Sequence, residues 1–293
     1  MMDTTVQILV SGLTLGAMYA LSTVSLSLVW GSLNVLNMAQ GAMLTLGGYL
    51  AYAAVSSLGF PPLIAVLMTV VLGGLVGLLM YVAVIRRMLD TEGFEINVII
   101  ATVGIGTVIE NLMLKVFGAY PIRQPIMWEG GFFVGRTHIP YNSIVIVLAS
   151  VGLMLVLAAL LARTRMGRAI RAVSQHREAA QLMGVPVQLV YAQVLLVAGA
   201  LSAASGIMLS TITTLSPTMG YDPMLKAFII CVIAGLGNVA GALYAAFSLG
   251  VVEAVVQFVF GVRFAFPAML LLVILALIWR PYGVFGRRKV SRL

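Results

Sequence analysis

Charge is what this 293-residue sequence has least of: 9% of its residues are Asp, Glu, Lys or Arg, against 61% hydrophobic. A soluble domain carries roughly 25% charged residues to clothe its surface in water. With a mean hydropathy of +1.10, this chain has no means of doing so, and only a hydrocarbon solvent removes the need. Cysteine is nearly absent too. The lone Cys231 sits in an apolar run, which leaves no intrachain disulfide framework or thiolate metal site; it reads as a small packed hydrophobe. The two histidines, His138 and His176, have no companion ligand at metal spacing and read as solvated or capping groups. Also missing are the phosphate loop G-x-x-x-x-G-K-S/T, H-E-x-x-H and C-x-x-C, and the serines of the apolar runs have no histidine to pair with. No catalytic residue, metal or cofactor is assigned to this chain, and an enzyme is rejected as the leading class. The first twenty residues lack a basic start, carry Asp3 and run into a full-length apolar segment, unlike a cleaved signal peptide.

What is present is a series of long apolar runs. Crossing roughly 30 Å of hydrocarbon takes about 20 residues at about 1.5 Å each. Such runs lie at 6–30, 38–58, 63–85, 96–117, 143–161 and 187–211. The stretch 227–279 is apolar but broken at Gly235, Gly237, Asn238 and Gly241, and again at the turn 261–263; it reads as two or three spans or half-spans. Barrel strands would alternate in polarity, and these runs do not. The expected fold is all-α: one domain over 1–293, a polytopic transmembrane helical bundle of about eight or nine spans with broken or re-entrant helices. Nine crossings are favoured, with seven plus a re-entrant segment as the alternative. Gly12/Gly16, Gly73/Gly77 and Gly237/Gly241, each four apart, would let helix backbones approach closely.

The net charge of +8 does not mark a nucleic-acid binder, because the basic residues lie between apolar segments. Arg86 and Arg87, then Arg163, Arg165, Arg168, Arg171 and Arg177, then Arg280, Arg287, Arg288, Lys289 and Arg292 make twelve of the 17 Lys and Arg residues. All fall on one side of the counted spans, and that side should be cytoplasmic. The N-terminus and the loop 118–142, with Arg123, Glu129 and Arg136, are then outside.

Polar groups at membrane depth are costly and usually face a bundle interior or water. Asn34, Asn37 and Gln40 cluster at the break between the first two runs, Asn238 sits in the later glycine break, and Glu110 and Glu253 lie in apolar runs. These six are the candidates for a translocation path; an interhelical hydrogen bond is the alternative role for each. The segment 163–184 is too polar to span and ends in Gly184, followed by Pro186, as a helix stop requires. A helix near 177–183 would offer Arg177, Glu178 and the small Ala179 and Ala180 to a partner; otherwise the segment is a solvated loop that only sets topology.

Glu178-Ala179-Ala180, with Gly184 six positions after the glutamate, resembles the E-A-A-x-x-x-G coupling motif of ABC importer permeases. Gly12-Leu-Thr-Leu-Gly16-Ala-Met-Tyr-Ala-Leu21, Trp30-Gly31, Asn34-Val-Leu-Asn37-Met-Ala-Gln-Gly41 and Ala234-Gly-Leu-Gly-Asn-Val-Ala-Gly-Ala242 are similar to the branched-chain amino acid permease family of the LivH type. The likeness covers essentially the whole chain in order, with Gln40 standing where many relatives have His. The resemblance implies one permease half of an importer in the bacterial inner membrane, embedded in the lipid bilayer. It also implies a second homologous permease subunit, two cytoplasmic ATPase subunits that use the ATP, and a periplasmic substrate-binding protein. Urea and short amides are alternative solutes within the same machinery. A secondary transporter and a non-transporting assembly protein are the alternatives of other classes.

Overall fold

The structure, a computed structural model, describes residues 2–89, 91–126, 130–134 and 137–286. Glu129, Arg136, Arg287, Arg288, Lys289 and Arg292 lie outside the described residues, as does the Asp3 side chain. The chain folds into helices α1 (Met2–Leu33), α2 (Gln40–Ser56), α3 (Pro62–Met80), α4 (Arg86–Met88), α5 (Phe94–Phe117), α6 (Tyr141–Arg163), α7 (Arg165–Gln175), α8 (Arg177–Leu182), α9 (Val187–Ile212), α10 (Tyr221–Ala234), α11 (Val239–Phe260) and α12 (Ala265–Trp279). A π-helical turn, Tyr81–Ile85, joins α3 to α4 without a break. The expected all-α bundle is what forms.

The span count needs correction. Seven helical stretches among the described residues are long and apolar enough to cross a membrane: Thr4–Leu33, Pro62–Met88, Phe94–Phe117, Tyr141–Arg163, Val187–Ile212, Val239–Phe260 and Val262–Trp279. The run 38–58 was expected to be a full span, but α2 has 17 residues, and α10 has 14. At about 1.5 Å per residue these reach about 26 and 21 Å. Each is preceded by a non-helical stretch, 34–39 before α2 and 213–220 before α10. The physical reason is that apolar side chains alone do not distinguish a helix from an extended segment that is buried in protein rather than lipid.

The loop expected between 118 and 142 also holds a short antiparallel hairpin, β1 (Gly131–Val134) with β2 (Thr137–Pro140). His138 lies on β2, its ring 5.1 Å from that of Phe133.

Contacts between breaks place both half-helices at depth. Met38 N donates to Thr102 Oγ1 at 3.1 Å, and Thr102 lies about 12 Å along α5 from its start. Gln40 Nε2 donates to Ser202 Oγ at 2.8 Å near the middle of α9. Gly220, just before α10, donates its N–H to Thr45 Oγ1 in α2 at 3.1 Å. The starts of α2 and α10 therefore meet inside the bundle, and from there the two half-helices run to opposite ends. Gly237, beyond α10, packs against Gly31 near the end of α1, whereas α2 ends at Ser56 beside the other end.

This is an inverted repeat. α1 packs most extensively with α11, and α9 with α3. Both α1 and α9 are followed by a break, a half-helix and two further long helices. Ser25 Oγ donates to Ala198 O at 2.9 Å, and Ser205 Oγ donates to Met18 O at 2.9 Å. Both pairs are related by the same shift of 180 positions, so the two bonds exchange under one two-fold axis. Ala20-Leu21-Ser22-x-x-Ser25 and Ala200-Leu201-Ser202-x-x-Ser205 carry the same shift in the sequence. Inverted repeats with discontinuous helices at their interface are a recurring architecture of transporters.

Close approach through glycine holds the pairs together. A Cβ added at Gly12 or Gly16 would lie 2.7 or 2.8 Å from the Val251 or Phe247 Cα of α11. Gly73 and Gly77 meet α9 at Gly199 in the same manner. Such packing substitutes for the hydrophobic effect, which is absent between helices in lipid. The third expected pair is different: Gly237 lies in the break with φ +84°, and Gly241 packs over Asn238 and Phe285.

Candidate functional site

The described members of the three basic clusters, Arg86 and Arg87, Arg163 to Arg177, and Arg280, lie toward one end. Pocket-forming contacts bring Gly31, Arg171, Ser174, Gly237 and Asn238 together there, and Leu89, Arg177 and Tyr191 beside them. α7 lies across this end. Thr164 caps it by accepting from Gly167 N at 3.1 Å, Ile170 and Val173 face inward, and Arg171 Nη1 donates to Leu161 O.

α8 follows as a separate short helix. His176 is its N-cap, with Nδ1 accepting from Ala179 N at 3.2 Å, so His176 takes the capping role. Gly184 sits at φ +82°, a conformation that glycine adopts without Cβ strain, while Val185 N returns to Ala180 O at 3.0 Å. The helix is thus closed at both ends. Arg177 lies 5.8 Å over the Tyr191 ring and pins α8 to α9. Glu178, Ala179 and Gly184 are exposed. Ala180 is not: it is buried against the protein's own core, because it occupies the inward face of a helix only six residues long. Leu182 and Met183, which sequence reasoning passed over, are 89% and 85% exposed. Two bare apolar side chains thus stand out from the end where the basic clusters lie.

The six polar candidates do not gather into one group. Asn34 takes a left-handed conformation, φ 55°, ends α1, and lines a cavity of about 370 Å³ at the basic end with Trp30, Ser174 and Tyr282. Asn37 is buried and accepts from Ala39 N at 3.0 Å. Gln40 is buried against Ser202. Asn238 caps α11 through Gly241 N at 3.0 Å and donates to Phe285 O at 2.9 Å. Glu110 accepts from Tyr221 OH at 2.8 Å. Glu253, 0% exposed, pairs with Lys226 at 2.8 Å. Lys226 was not singled out in the sequence, although a lone lysine in an apolar run, four residues after Asp222, is a readable signal. Among the described residues no three His, Cys, Asp or Glu side chains come together as a metal site.

α5 exposes apolar residues such as Ile100, Val108 and Leu112, as the other outward helices do, and adds a polar stripe. The exposed residues of α6 and α12 include Leu148, Val151 and Leu155, and Leu271, Ile274 and Ile278. On α5, Gly104, Thr107, Asn111 and Lys115 are exposed at three- and four-residue spacing, which places them along one face. Glu110 and Asn111 also line a cavity of about 330 Å³ with Leu114, Ala119, Ser216, Pro217 and Thr218, beside the entry to α10.

Spanning helices, inverted repeats and broken helices meeting at depth define a multi-pass membrane protein of the transport-permease class. A family model described as the permease component of branched-chain amino acid transport systems matches residues 8–279. The chain is 27% identical to the high-affinity branched-chain amino acid transport system permease protein BraD of Pseudomonas aeruginosa, over 98% of this chain and 97% of that one. It is 25% identical to the LivH permease of Escherichia coli K12, covering 97% and 96%. A probable LivH permease of Methanocaldococcus jannaschii is 28% identical, covering 93% and 90%. The chain belongs to this family of branched-chain amino acid transport permeases.

Proposed function

We propose that this chain is the translocation subunit of an ATP-driven importer of branched-chain amino acids. In this reading the basic end is cytoplasmic, following the positive-inside rule; the N-terminus lies outside and the C-terminus inside. Two ATPase subunits dock on that end, a second permease subunit completes the pore, and a periplasmic binding protein delivers the solute. ATP is handled by the ATPase subunits and not by this chain.

The observation that carries the reading is α8. It is a capped helix at the basic end, anchored by Arg177, that presents Glu178, Ala179, Leu182 and Met183 outward. A short helix with an apolar tip is suited to seat in a partner's groove, where buried apolar anchors supply most of the binding energy. The polar stripe of α5 supports a path on that side: the Thr107 hydroxyl and Asn111 amide donate to carbonyls of their own helix, while the exposed Lys115 charge belongs against water or protein rather than lipid. Glu110, near the entry to α10, lies beside that face; Asn34 and Asn238 belong to the cytoplasmic mouth; Asn37, Gln40 and Glu253 shape the breaks from behind.

The test is uptake of labelled leucine and labelled urea by cells lacking this chain, with and without its restoration. Leucine uptake that returns with the chain and stops on ATP depletion supports the reading. Urea uptake alone replaces the solute and keeps the machinery. Leucine uptake that ceases on loss of the proton gradient with ATP present contradicts the ATP-driven assignment.

A further inference from the structure

A charged junction lies inside the bundle, apart from the docking helix. Lys226, on the second turn of α10, is 8% exposed. Its ammonium group has three N–H donors and three acceptors: Glu253 Oε1 on α11 at 2.8 Å, Asp222 Oδ2 on its own helix at 2.9 Å, and Tyr19 OH on α1 at 3.2 Å. Gln257 Nε2 also donates to Glu253 Oε1 at 3.0 Å. One side chain thus ties α10 to α1 and α11 close to the depth where α10 begins.

Packing does not require this chemistry. The inverted counterpart of the junction, where α2, α3 and α9 meet, is built from Gly47 against Ala203 and from Gly73 and Gly77 against Gly199. Both corners pack through glycine, Gly12 and Gly16 against α11 in one and Gly73 and Gly77 against α9 in the other, and the α1–α10–α11 corner adds a buried ion pair. Ions removed from water cost several kcal/mol each, and apolar replacements of similar volume often hold a fold as well or better. Asp222 separates this corner from its twin. The Asp222 side chain is 64% exposed, and it stands on the first turn of α10 beside Tyr221, whose hydroxyl reaches Glu110. An exposed carboxylate on a helix that starts inside the bundle belongs against water or protein, not lipid.

We infer that Lys226 and Glu253 are positioning residues for transport, holding the first turn of α10 so that the Asp222 carboxylate is presented on the translocation face. Glu253 compensates the lysine, so that the ammonium remains buried while shared with Asp222. The inference rests on the translocation reading above.

The test uses the full transporter reconstituted in vesicles, reading protein level, ATP hydrolysis and solute uptake separately. Lys226→Met alone leaves Glu253 buried without its counter-ion and is expected to lower the protein level. Lys226→Met with Glu253→Leu removes both charges and is expected to restore the level. Uptake by this double variant is expected to stay at least tenfold below wild type while ATP hydrolysis continues, and Asp222→Asn, with the pair intact, is expected to reproduce that loss. A double variant that transports at the wild-type rate overturns the inference and leaves the pair as packing. Normal transport by Asp222→Asn overturns it as well, since nothing functional is then being positioned. Failure of wild-type vesicles to take up solute on ATP addition would instead strike the translocation reading itself.

Discussion

Ser25 and Ser205 make the same hydrogen bond in opposite directions: each hydroxyl donates at 2.9 Å to a carbonyl of the other's helix, at Ala198 and Met18. That reciprocity makes α1 and α9 the central pair of an inverted repeat and sets the two half-helices, α2 and α10, on either side of it. The consequence is mechanical. Gln40 ties α2 to α9 of the other repeat, and Lys226 ties α10 both to α1 of the other repeat and to α11 of its own, so each half-helix is bonded across the repeat boundary.

Removing the apolar tip of α8 should cost docking and nothing else. Leu182→Ser with Met183→Ser leaves the core untouched, because both side chains are exposed. Loss of buried anchors at an interface costs about 2 kcal/mol or more, so co-purification of the ATPase subunits should fall at least about tenfold at an unchanged permease level. Glu178→Lys and Gly184→Trp should uncouple uptake in the same background. Pull-down and uptake measurements check both.

On α5, Thr107→Leu with Asn111→Leu makes the exposed face resemble that of α12. If this face met lipid, the change would be neutral or stabilising. A translocation path along it predicts instead that the protein level holds while uptake falls several-fold. Ile274→Leu on α12 serves as the control that leaves uptake unchanged.

At the α1–α11 contact, Gly16→Leu drives a side chain into the backbone at Phe247, where an added Cβ already lies 2.8 Å from Cα. Overpacking of this kind costs about 1–3 kcal/mol or more. A lowered thermal midpoint in detergent is expected, with Gly104→Ala on the open face of α5 as the neutral comparison, since nothing lies near a Cβ there.

Gln40→Ala removes the amide that donates to Ser202 and leaves a cavity at a buried break. A loss of about 1 kcal/mol follows from the missing bond, to which the cavity adds, while Ser202 keeps its bonds to Ala198 and Ser25. Gln40→Glu should be worse than Ala, because it places a carboxylate where burial is complete. Thermal unfolding of the purified variants orders the two.

The long helices were legible because lipid is a uniform solvent and each run needs only sufficient apolar length. Helix α8 was legible because Gly184 and Pro186 stop it and its polar residues exclude a span. The half-helices were not. Asn34 and Asn37 mark the first break, and Pro217 and Gly220 lie in the second, but neither tells that the helix after it is short, and what keeps the breaks extended is contact with α5 and with Ile122, which bonds Leu215 across the loop. The repeat was hidden for a related reason: small residues recur throughout, so the echo of Ala20 to Ser25 in Ala200 to Ser205 gains meaning only when the two helices are seen to exchange bonds. The polar candidates were found as residues but not as a group, since depth and facing depend on the breaks. Lys226 shows the opposite case, a charge plainly visible in the sequence whose three partners only the packing of α1, α10 and α11 could supply.

The most direct test of ATP-driven import is uptake of labelled leucine into vesicles carrying the permease, its partner permease, the ATPase subunits and the binding protein, comparing wild type with Glu178→Lys. The expected result is uptake by wild type only when ATP is present, and its loss in the variant at an equal permease level. Equal uptake by both, or uptake by wild type without ATP, would contradict it.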